Sequence, residues 1–311
     1  MKASEWMGAS VGVSFHWTSA VAARDGRDAS YQDAVNAFAA EGFADRLREC
    51  GARHCILTLT HAEQYLAFPC EILEKLLPGR TCKRDLIGEI AQALSERDIR
   101  FIAYYNHSCN GDDDPTWKRA CGYAAGKDGD LDAFARNICC IVECIAKRYG
   151  EKLDGWWFDS AYSVDSRGPH NTISCDMGDW NFPWQDLIAA AKSGNAGTAV
   201  AINPGIGSRF LYAPNQDYYA GESVRIDEPF SPEALPGIVD HRWICMDNPA
   251  WAYCKPGAPF ADPRFGVEEV TAFVRKNLLN GRMTTFNMEI DRFGEINPKS
   301  LAQFASIPKT I

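Results

Sequence analysis

Two carboxylates and a set of aromatic side chains are the residues of this sequence best suited to chemistry. Asp159 directly follows the short apolar run Gly155-Trp156-Trp157-Phe158, and a polar segment comes after it. A short run of bulky aromatics is typical of a buried strand, here one that ends at an acid. Parallel α/β proteins place their reactive groups at such strand ends. The alternative interpretation is that Asp159 caps the next helix and that Trp156 and Trp157 only fill the core.

Glu222 is the second carboxylate, and it stands at the end of the aromatic segment 217–222. Two carboxyl groups, with neutral hydrogen-bonding groups and aromatic rings, are what cleavage of a glycosidic bond requires. One carboxylate attacks the anomeric carbon and the other protonates the leaving oxygen, and in retaining enzymes the two lie about 5–5.5 Å apart. The attacking acid must stay ionised, whereas the proton donor needs a pKa raised by desolvation or by its charged neighbour.

These residues are far apart in sequence, so the fold must bring them together. Strand-like and helix-like segments alternate along nearly the whole chain, with helix-like stretches at 38–50, 84–97, 131–149, 185–192 and 267–279. The eight strand candidates are residues 11–15, 55–59, 101–105, 156–158, 199–203, 217–222, 243–246 and 283–287. Eight strands separated by helices predict an α/β fold, a TIM-like (β/α)8 barrel, and we expect one catalytic domain of this type over residues 1–311. An open doubly wound sheet is the alternative, disfavoured because no Gly-x-Gly-x-x-Gly motif follows any strand.

Polar residues collect where the predicted strands stop, and the ends of parallel barrel strands share one rim. They are His16, His61, Asn106, His107, Asp159, Asn203, Glu222, Asp247, Asn287 and Glu289. Each has a structural explanation when taken alone, because a single histidine or glutamate is more often hydrogen-bonded or solvated. Since side chains alternate along a strand, Trp157 is expected to share a face with Asp159, while Trp156 and Phe158 face the helices.

Composition and spacing argue against several other classes of function. The formal net charge of −9 disfavours nucleic acid as a partner, because phosphate binding requires a basic face. No apolar stretch approaches the roughly 20 residues that cross a membrane, so we expect no membrane partner. His16, His61 and His107 with an aspartate could hold a metal, but His-x-His and His-x-x-x-His spacings are missing. We therefore expect a carbohydrate substrate, no cofactor and no metal, and leave a homo-oligomer open.

The cysteines and the first residues bear on the cellular compartment. The twelve cysteines include several within predicted strands and helices, and there is no Cys-x-x-Cys pair. Buried reduced thiols that act as small apolar side chains are the favoured interpretation. The start of the chain, through Trp6, has no apolar run of signal-peptide length. We expect a cytoplasmic protein, or a periplasmic or secreted one if a signal peptide has been removed.

Several segments resemble the α-L-fucosidases of glycoside hydrolase family 29, and the likeness extends over most of the chain. Phe15-His16-Trp17 is similar to the family's early His-Trp motif, and His61 falls on the first histidine of its His-His-Asp-Gly-Phe motif. The stretch 155–159 resembles its Trp-Phe-Asp-Gly strand, and 217–222 is similar to its Asp-Phe-x-Thr-x-Glu stretch. Similar passages are also found at 43–60, 84–87 and 267–287.

The resemblance implies a retaining exo-glycosidase that acts on an α-L-fucoside or a related L-sugar. Asp159 is then the nucleophile and Glu222 the acid/base, with Glu289 as the alternative proton donor. The resemblance covers the catalytic barrel only, so no C-terminal β-sandwich is expected. In this hypothesis the residues that bind the sugar are His16, Trp17, His61, Tyr105, His107, Trp157, Asn203, Trp251 and Glu289.

Among the departures of the sequence from the family motifs, two lie next to predicted site residues. Ala62 replaces the second histidine of the pair, and Ser160 replaces the glycine after the nucleophile. A carbohydrate-binding pseudoenzyme of the same fold is therefore an alternative hypothesis. Another is a glycosidase for a different sugar, such as an α-L-galactoside or a glycan with uronic acids. For the latter, Arg209, Arg225 or Lys255 would have to face the pocket and hold a carboxylate.

Overall fold

Seven parallel strands form one sheet in the computed structural model, which describes residues 3–123, 129–228 and 235–311. The order across the sheet is β5-β4-β3-β2-β1-β7-β6. The strands are β1 (Val11–Phe15), β2 (His54–Thr60), β3 (Arg100–Asn106), β4 (Gly155–Asp159), β5 (Ala199–Ile202), β6 (His241–Cys245) and β7 (Met283–Asn287). Nearly every strand residue is buried, as expected for parallel strands that are covered on both faces.

Helices connect most of these strands, so the predicted α/β class is confirmed. They are α1 (Ala3–Met7), α2 (Tyr31–Ala37), α3 (Ala40–Glu49), α4 (Glu71–Leu76), α5 (Leu86–Ser95), α6 (Pro115–Cys121), α7 (Leu131–Tyr149), α8 (Trp184–Ala191), α9 (Val267–Leu279) and α10 (Pro298–Ser306). The five predicted helical stretches match α3, α5, α7, α8 and α9. The ends of α7 and α9 agree with the prediction, and those of the other three differ by one or two residues.

The longest helix, α7, shows how sequence sets the outer layer. The carboxylate of Asp130 accepts a hydrogen bond from the backbone N–H of Ala133 and so caps the helix start. Apolar residues then recur at three and four spacing, and this face is buried against the sheet and neighbouring helices. The buried apolar set includes Phe134, Ile138, Ile141, Val142 and Ile145.

The sixth predicted strand, 217–222, is wrong as a regular strand. The segment makes only isolated bridges, from Tyr218 to Val239 and from Glu222 to Trp243. Gly221 has a φ of 75°, which interrupts an extended ladder, and a Cβ there would lie 2.2 Å from the carbonyl oxygen of His241. The chain is thus pressed against β6 at a point that only glycine allows.

The same segment, 217–222, hydrogen-bonds to both edges of the sheet. The N–H of Asp217 donates to the carbonyl of Val200 in β5 at 2.9 Å, and the N–H of Trp243 in β6 donates to the carbonyl of Gly221 at 2.9 Å. The carboxylate of Asp217 also accepts a bond from the N–H of Val200. The sheet therefore curls until β5 and β6 meet this segment from opposite sides.

The two tryptophans of β4 point to different layers, as side-chain alternation predicts. Trp156 donates from its indole to the carbonyl of Ala191 at the end of α8, and its ring stacks with Phe158. Trp157 points into the sheet's concave interior, where its indole donates to the carbonyl of Ala220 at 2.9 Å. The side chain of Trp157 therefore lies on the concave side of the sheet, the side that carries Asp159.

All twelve cysteines lie in the described part of the chain, and all are free thiols. Seven of them are buried, which agrees with their predicted role as small apolar side chains. Among the described helices none is both long and apolar enough to cross a membrane.

A polar layer lies inside the curled sheet. His54 contacts Ser10 Oγ through Nδ1 at 2.8 Å and Thr285 Oγ1 through Nε2 at 2.7 Å. His241 Nε2 lies 2.8 Å from the same Thr285 Oγ1. Burial lowers the pKa of His241 from 6.5 to about 3, and it lowers the pKa of His54 as well. Both rings are therefore neutral hydrogen-bonding groups near neutral pH.

Replacing His241 by Gln should flatten the dependence of stability on pH. The folded-state pKa lies below that of an unfolded histidine, so the unfolded state binds more protons between the two values. The free energy of unfolding then falls as pH drops below about 6.5, by up to about 1.4 kcal/mol per pH unit for one histidine. Urea unfolding between about pH 7.5 and about pH 5 measures this slope. His170→Gln, at an exposed position, is the control, and equal slopes in wild type and His241→Gln would contradict the assignment.

Candidate active site

A pocket of about 310 Å³ opens at the carboxyl ends of the strands. It is lined by His16, Thr18, Ala20, His61, Tyr104, Trp157, Asp159, Tyr162, Glu222, Trp243, Ala250, Trp251, Ala252 and Cys254. Both predicted acids are in this set, together with four of the nine predicted sugar-binding residues, His16, His61, Trp157 and Trp251. The volume is at the lower end for small-molecule sites.

Asp159 is surrounded by hydrogen-bond donors. Its Oδ2 accepts bonds from the hydroxyl of Tyr104 and, at 3.2 Å, from the amide of Asn106. Its Oδ1 accepts from the amide of Asn203 at 2.9 Å and from the N–H of Ser160 at 2.7 Å. These four donors hold the carboxyl group of Asp159 in one orientation.

The side-chain amide of Asn203 joins the two acids. Its Nδ2 donates to Oδ1 of Asp159 at 2.9 Å and to Oε2 of Glu222 at 2.7 Å. Its Oδ1 accepts from the N–H of Gly205 at 3.1 Å, and because a backbone N–H can only donate, the NH2 group must face the carboxylates. The two carboxylate oxygens are therefore no farther apart than these two donor distances combined, compatible with the about 5–5.5 Å of retaining glycosidases.

Glu222 is held by the irregular segment that separates β5 from β6. Its carbonyl accepts a bond from the N–H of Gly207 at 2.9 Å, and the N–H of Ser223 donates to the carbonyl of Trp243 at 2.9 Å. Burial, and after it the charge of Asp159, raises the pKa of Glu222 from 4.5 to about 8. The hydrogen bond from Asn203 opposes that shift. Near neutral pH Glu222 therefore keeps its proton.

Aromatic rings form the floor and one side of the pocket. Tyr104 stacks on Trp157 with ring centroids 5.1 Å apart, and Trp157 meets Trp243 edge-on at 4.3 Å. Trp243 contacts Trp251 at 4.9 Å. The indole of Trp243 donates to the hydroxyl of Ser14 at 2.5 Å, which fixes its ring. Such a surface desolvates the acids and offers faces on which a sugar can stack.

His16 and His61 line the pocket beside these aromatic rings. His16 Nδ1 lies 2.9 Å from Oδ1 of Asn287, and its ring stacks near Trp243. Burial, followed by the nearby His61, lowers the pKa of His16 from 6.5 to about 4. His16 is therefore a neutral hydrogen-bonding group rather than a cation near neutral pH.

The remaining predicted sugar-binding residues lie outside the pocket lining. Trp17 donates from its indole to the carbonyl of Arg292 and packs on Phe38 beneath the helices. His107 is buried behind Ser160, with Nε2 2.9 Å from the carbonyl of that residue. Asn203 is not a lining residue, but its side-chain amide donates hydrogen bonds to the two acids that are.

Tyr105 points to the helices and Tyr104 takes its place in the pocket. The hydroxyl of Tyr105 donates to Oε1 of Gln64 at 3.1 Å, and its ring packs against Phe158. In the register of β3 against β4, Tyr104 pairs with Trp157. The pairing with Trp157 is the signal that places Tyr104 on the pocket side of β3. This pairing depends on the register of β3 against β4, which the sequence does not show.

Glu289 is buried away from the pocket, and both of its oxygens are occupied. Oε1 accepts from the amide of Asn248 and Oε2 from the N–H of Ala261, each at 2.7 Å. These contacts tie down the loop that follows β6 and carries Trp251. Burial raises the pKa of Glu289. Its position fits an anchor of this loop better than a proton donor.

The basic residues considered for a uronic acid do not line the pocket. Arg209 pairs with Asp240, and Arg225 pairs with Asp227 at the surface. Lys255 is exposed. Thr18, Tyr162, Trp243 and Cys254 line the pocket although the sequence did not single them out for the site. Within the described ranges, no group of three or more His, Cys, Asp or Glu side chains could hold a metal ion.

Comparison with known proteins gives a consistent picture. A family model described as Alpha-L-fucosidase matches residues 1–277. Tissue alpha-L-fucosidase from Bos taurus is 25% identical over 242 residues, which cover 73% of this chain and 44% of that protein. The chain thus spans less than half the length of this relative.

Solved structures share the fold at lower sequence identity. An endo-fucoidan hydrolase of glycoside hydrolase family 107 superposes with a TM-score of 0.71 at 18% identity, covering 97% of this chain and 52% of that chain. A family 29 alpha-L-fucosidase from Bacteroides thetaiotaomicron has a TM-score of 0.65 at 15% identity, covering 97% of this chain and 71% of that one. At these identities the likeness shows the fold alone.

Replacing Asp159 by Asn should lower the pKa of Glu222 from about 8, since the charge of Asp159 is the second-largest cause of its elevation. The pKa can be followed by carbon-13 NMR of the glutamate carboxyl groups during a pH titration. Asp154→Asn, just before the opposite end of β4, is the control and should leave the pKa of Glu222 near its wild-type value. An unchanged pKa in Asp159→Asn would mean that the two acids are not coupled.

Proposed function

The chain belongs to the alpha-L-fucosidase family, as its motifs predicted, and from this premise we propose that it is a retaining glycoside hydrolase for α-L-fucosides. The observation that carries the proposal is the pair of acids bridged by the amide of Asn203, one held by several hydrogen-bond donors and the other with a raised pKa. Retaining hydrolysis requires two close carboxyl groups of which one can donate a proton.

In the first step, a carboxylate oxygen of Asp159 attacks the anomeric carbon. The bond from that carbon to the leaving oxygen breaks, and the leaving oxygen takes the proton of Glu222. The donors on Asp159 keep it ionised and oriented before the attack. The product of this step is a glycosyl ester on Asp159.

In the second step, Glu222 removes a proton from water as the water attacks the anomeric carbon and releases Asp159. The change of role follows from electrostatics. Once Asp159 is esterified, its negative charge is gone, and with it the second-largest cause of the raised pKa of Glu222. The pKa of Glu222 then falls, and the group becomes a carboxylate able to act as a base.

The histidine and tryptophan side chains of the pocket suit a sugar. His16 and His61 can hydrogen-bond hydroxyl groups, and Trp157, Trp243 and Trp251 offer apolar faces. We also propose that the seven strands and the segment 217–222 together form a (β/α)8-type barrel, one catalytic domain over residues 1–311 with the segment in the position of the missing strand. The oligomeric state and the compartment stay predictions.

The two acids can be distinguished from Glu289 by substitution. Asp159→Asn should reduce kcat/KM on an aryl α-L-fucoside by a factor on the order of 10³ or more, because no nucleophile remains. Glu222→Gln should lose about 10²–10⁴-fold on a substrate with a poor leaving group. Glu289→Gln, the matched control at a buried glutamate, should lose less than about tenfold. Azide should restore turnover in Glu222→Ala and not in Glu289→Ala. Near wild-type activity of Asp159→Asn would refute the proposal.

The dependence of kcat/KM on pH should fall on the alkaline side near pH 8, because Glu222 must carry a proton to act as the acid and its pKa is raised to about 8. The amide of Asn203 lowers that pKa, so Asn203→Ala should move the alkaline limb to higher pH while reducing the rate. Asn277→Ala, a buried asparagine in α9, is the control and should not move the limb. An alkaline limb at the same pH in Asn203→Ala would exclude Glu222 as its origin.

A further inference from the structure

A second cavity of about 350 Å³ lies on the same end of the sheet as the catalytic pocket. Its lining includes Ser19, Tyr31, Gln32, Glu63, Tyr65 and Arg292. Ser19 follows the carboxyl end of β1, Glu63 and Tyr65 follow that of β2, and Arg292 follows that of β7. The mechanism proposed above uses none of these residues.

The second cavity and the catalytic pocket are lined by neighbouring residues of the same two loops. Thr18 and Ala20 line the pocket, whereas Ser19 between them lines the second cavity. His61 lines the pocket, and Glu63, two residues later, lines the second cavity. Ser19 Oγ donates to Oε2 of Glu63 at 2.6 Å and so joins the two loops. The two spaces are therefore adjacent at this end of the sheet.

The second cavity lies across the pocket from Glu222. In the sheet order β5-β4-β3-β2-β1-β7-β6, β2 is the central strand, and the segment that carries Glu222 contacts the two edge strands. In a sheet curled so that both edges meet that segment, the end of β2 faces it from the opposite side. The leaving group must be beside the proton donor, so the second cavity is on the side of the bound sugar that points away from the leaving group.

The lining of the second cavity suits an uncharged, hydroxyl-rich ligand. Tyr31 and Tyr65 place two rings 5.6 Å apart, edge to face. Gln32 supplies an amide, while Glu63 and Arg292 bring charges of opposite sign. Arg292 Nη2 donates to the carbonyl of Ser19 at 2.9 Å, which holds the guanidinium at the wall. Rings beside planar polar groups are a combination that binds pyranoses, and the opposed charges do not select an ionic ligand.

We propose that the second cavity is a subsite for a second sugar, a neutral pyranose linked to the sugar in the catalytic pocket on its side away from Glu222. The enzyme then cleaves glycosides whose fucosyl unit is itself substituted, which differs from the exo action expected from the sequence. This inference rests on the proposed glycosidase function. The substrate is then an oligosaccharide in which the fucosyl unit next to the cleaved bond carries another sugar on the side away from the leaving group.

The test compares two substrates with the same leaving group, an aryl α-L-fucoside and aryl α-L-fucobiosides with the second fucosyl unit at O3 or O4. Release of the aryl alcohol reports the same bond in each, so the ratio of their kcat/KM values isolates the second sugar. For the wild type we expect one bioside to be preferred by at least about tenfold. The ratio should fall to about one in Tyr65→Ala, which removes a ring, and in Ala29→Trp, which fills the cavity.

Phe265→Ala is the matched control, because Phe265 is a half-buried aromatic with an arginine over its ring, as Tyr65 is, and lies outside both cavities. It should keep the preference for the bioside. A wild type that cleaves the monofucoside but has no preference for either bioside would overturn the subsite and leave the glycosidase intact. A preference that survives in both cavity variants would also overturn it. If neither substrate is cleaved, the proposed function fails and the subsite fails with it.

Discussion

The burial of two carboxyl groups around one shared amide is the constraint on which the site depends. Asn203 has two N–H groups at Nδ2, and the structure directs one to Asp159 and the other to Glu222. No lysine or arginine lines the pocket within the described ranges, so no cation there offsets the cost of a second negative charge. Burial, and after it the charge of Asp159, raises the pKa of Glu222 to about 8, so this acid keeps its proton near neutral pH. The asymmetry that acid catalysis needs is therefore a consequence of how the pair is buried.

Backbone strain occurs at two positions next to these groups. Ser160, directly after Asp159, has a φ of 63°, and Trp251 has a φ of 68°, although neither is glycine. Ser160 is held by asparagine side chains that donate to its hydroxyl, while Trp251 is held by the amide of Asn287, which donates to its carbonyl. Left-handed conformations at non-glycine residues cost of order 1–3 kcal/mol and persist where neighbours enforce them. The glycine that the family motif carries at the position of Ser160 suits this conformation, and in this chain hydrogen bonds hold Ser160 in it.

Local patterns predicted the parts of the fold and site that depend on short-range periodicity. The amphipathic helices, the buried strand before Asp159 and the opposite directions of Trp156 and Trp157 all follow from repeats of 3.6 or 2 residues. The failures involve contacts between distant segments. The sequence predicts Tyr105 in the pocket, whereas Tyr104, which pairs with Trp157 across β3 and β4, lies there. The segment 217–222 has a strand-like composition, but the close approach of Gly221 to β6 breaks the ladder. The bridge from Asn203 to both acids depends on how β5 is placed beside that segment.

The placement of Glu222 on an irregular segment has a physical advantage over placement on a regular strand. A ladder residue has its backbone direction set by two neighbours and its side chain set by alternation. Here Gly221 turns the chain, so the carboxyl of Glu222 can lean toward Asn203 while its carbonyl still accepts a bond from Gly207. Burial of this carboxyl costs the least free energy while it is protonated. Its folded-state pKa is raised above 4.5, so the folded state binds the extra proton and stability declines as pH rises toward about 8. The proton that our proposed mechanism assigns to the leaving group is thus the same proton that makes the buried position of Glu222 tolerable.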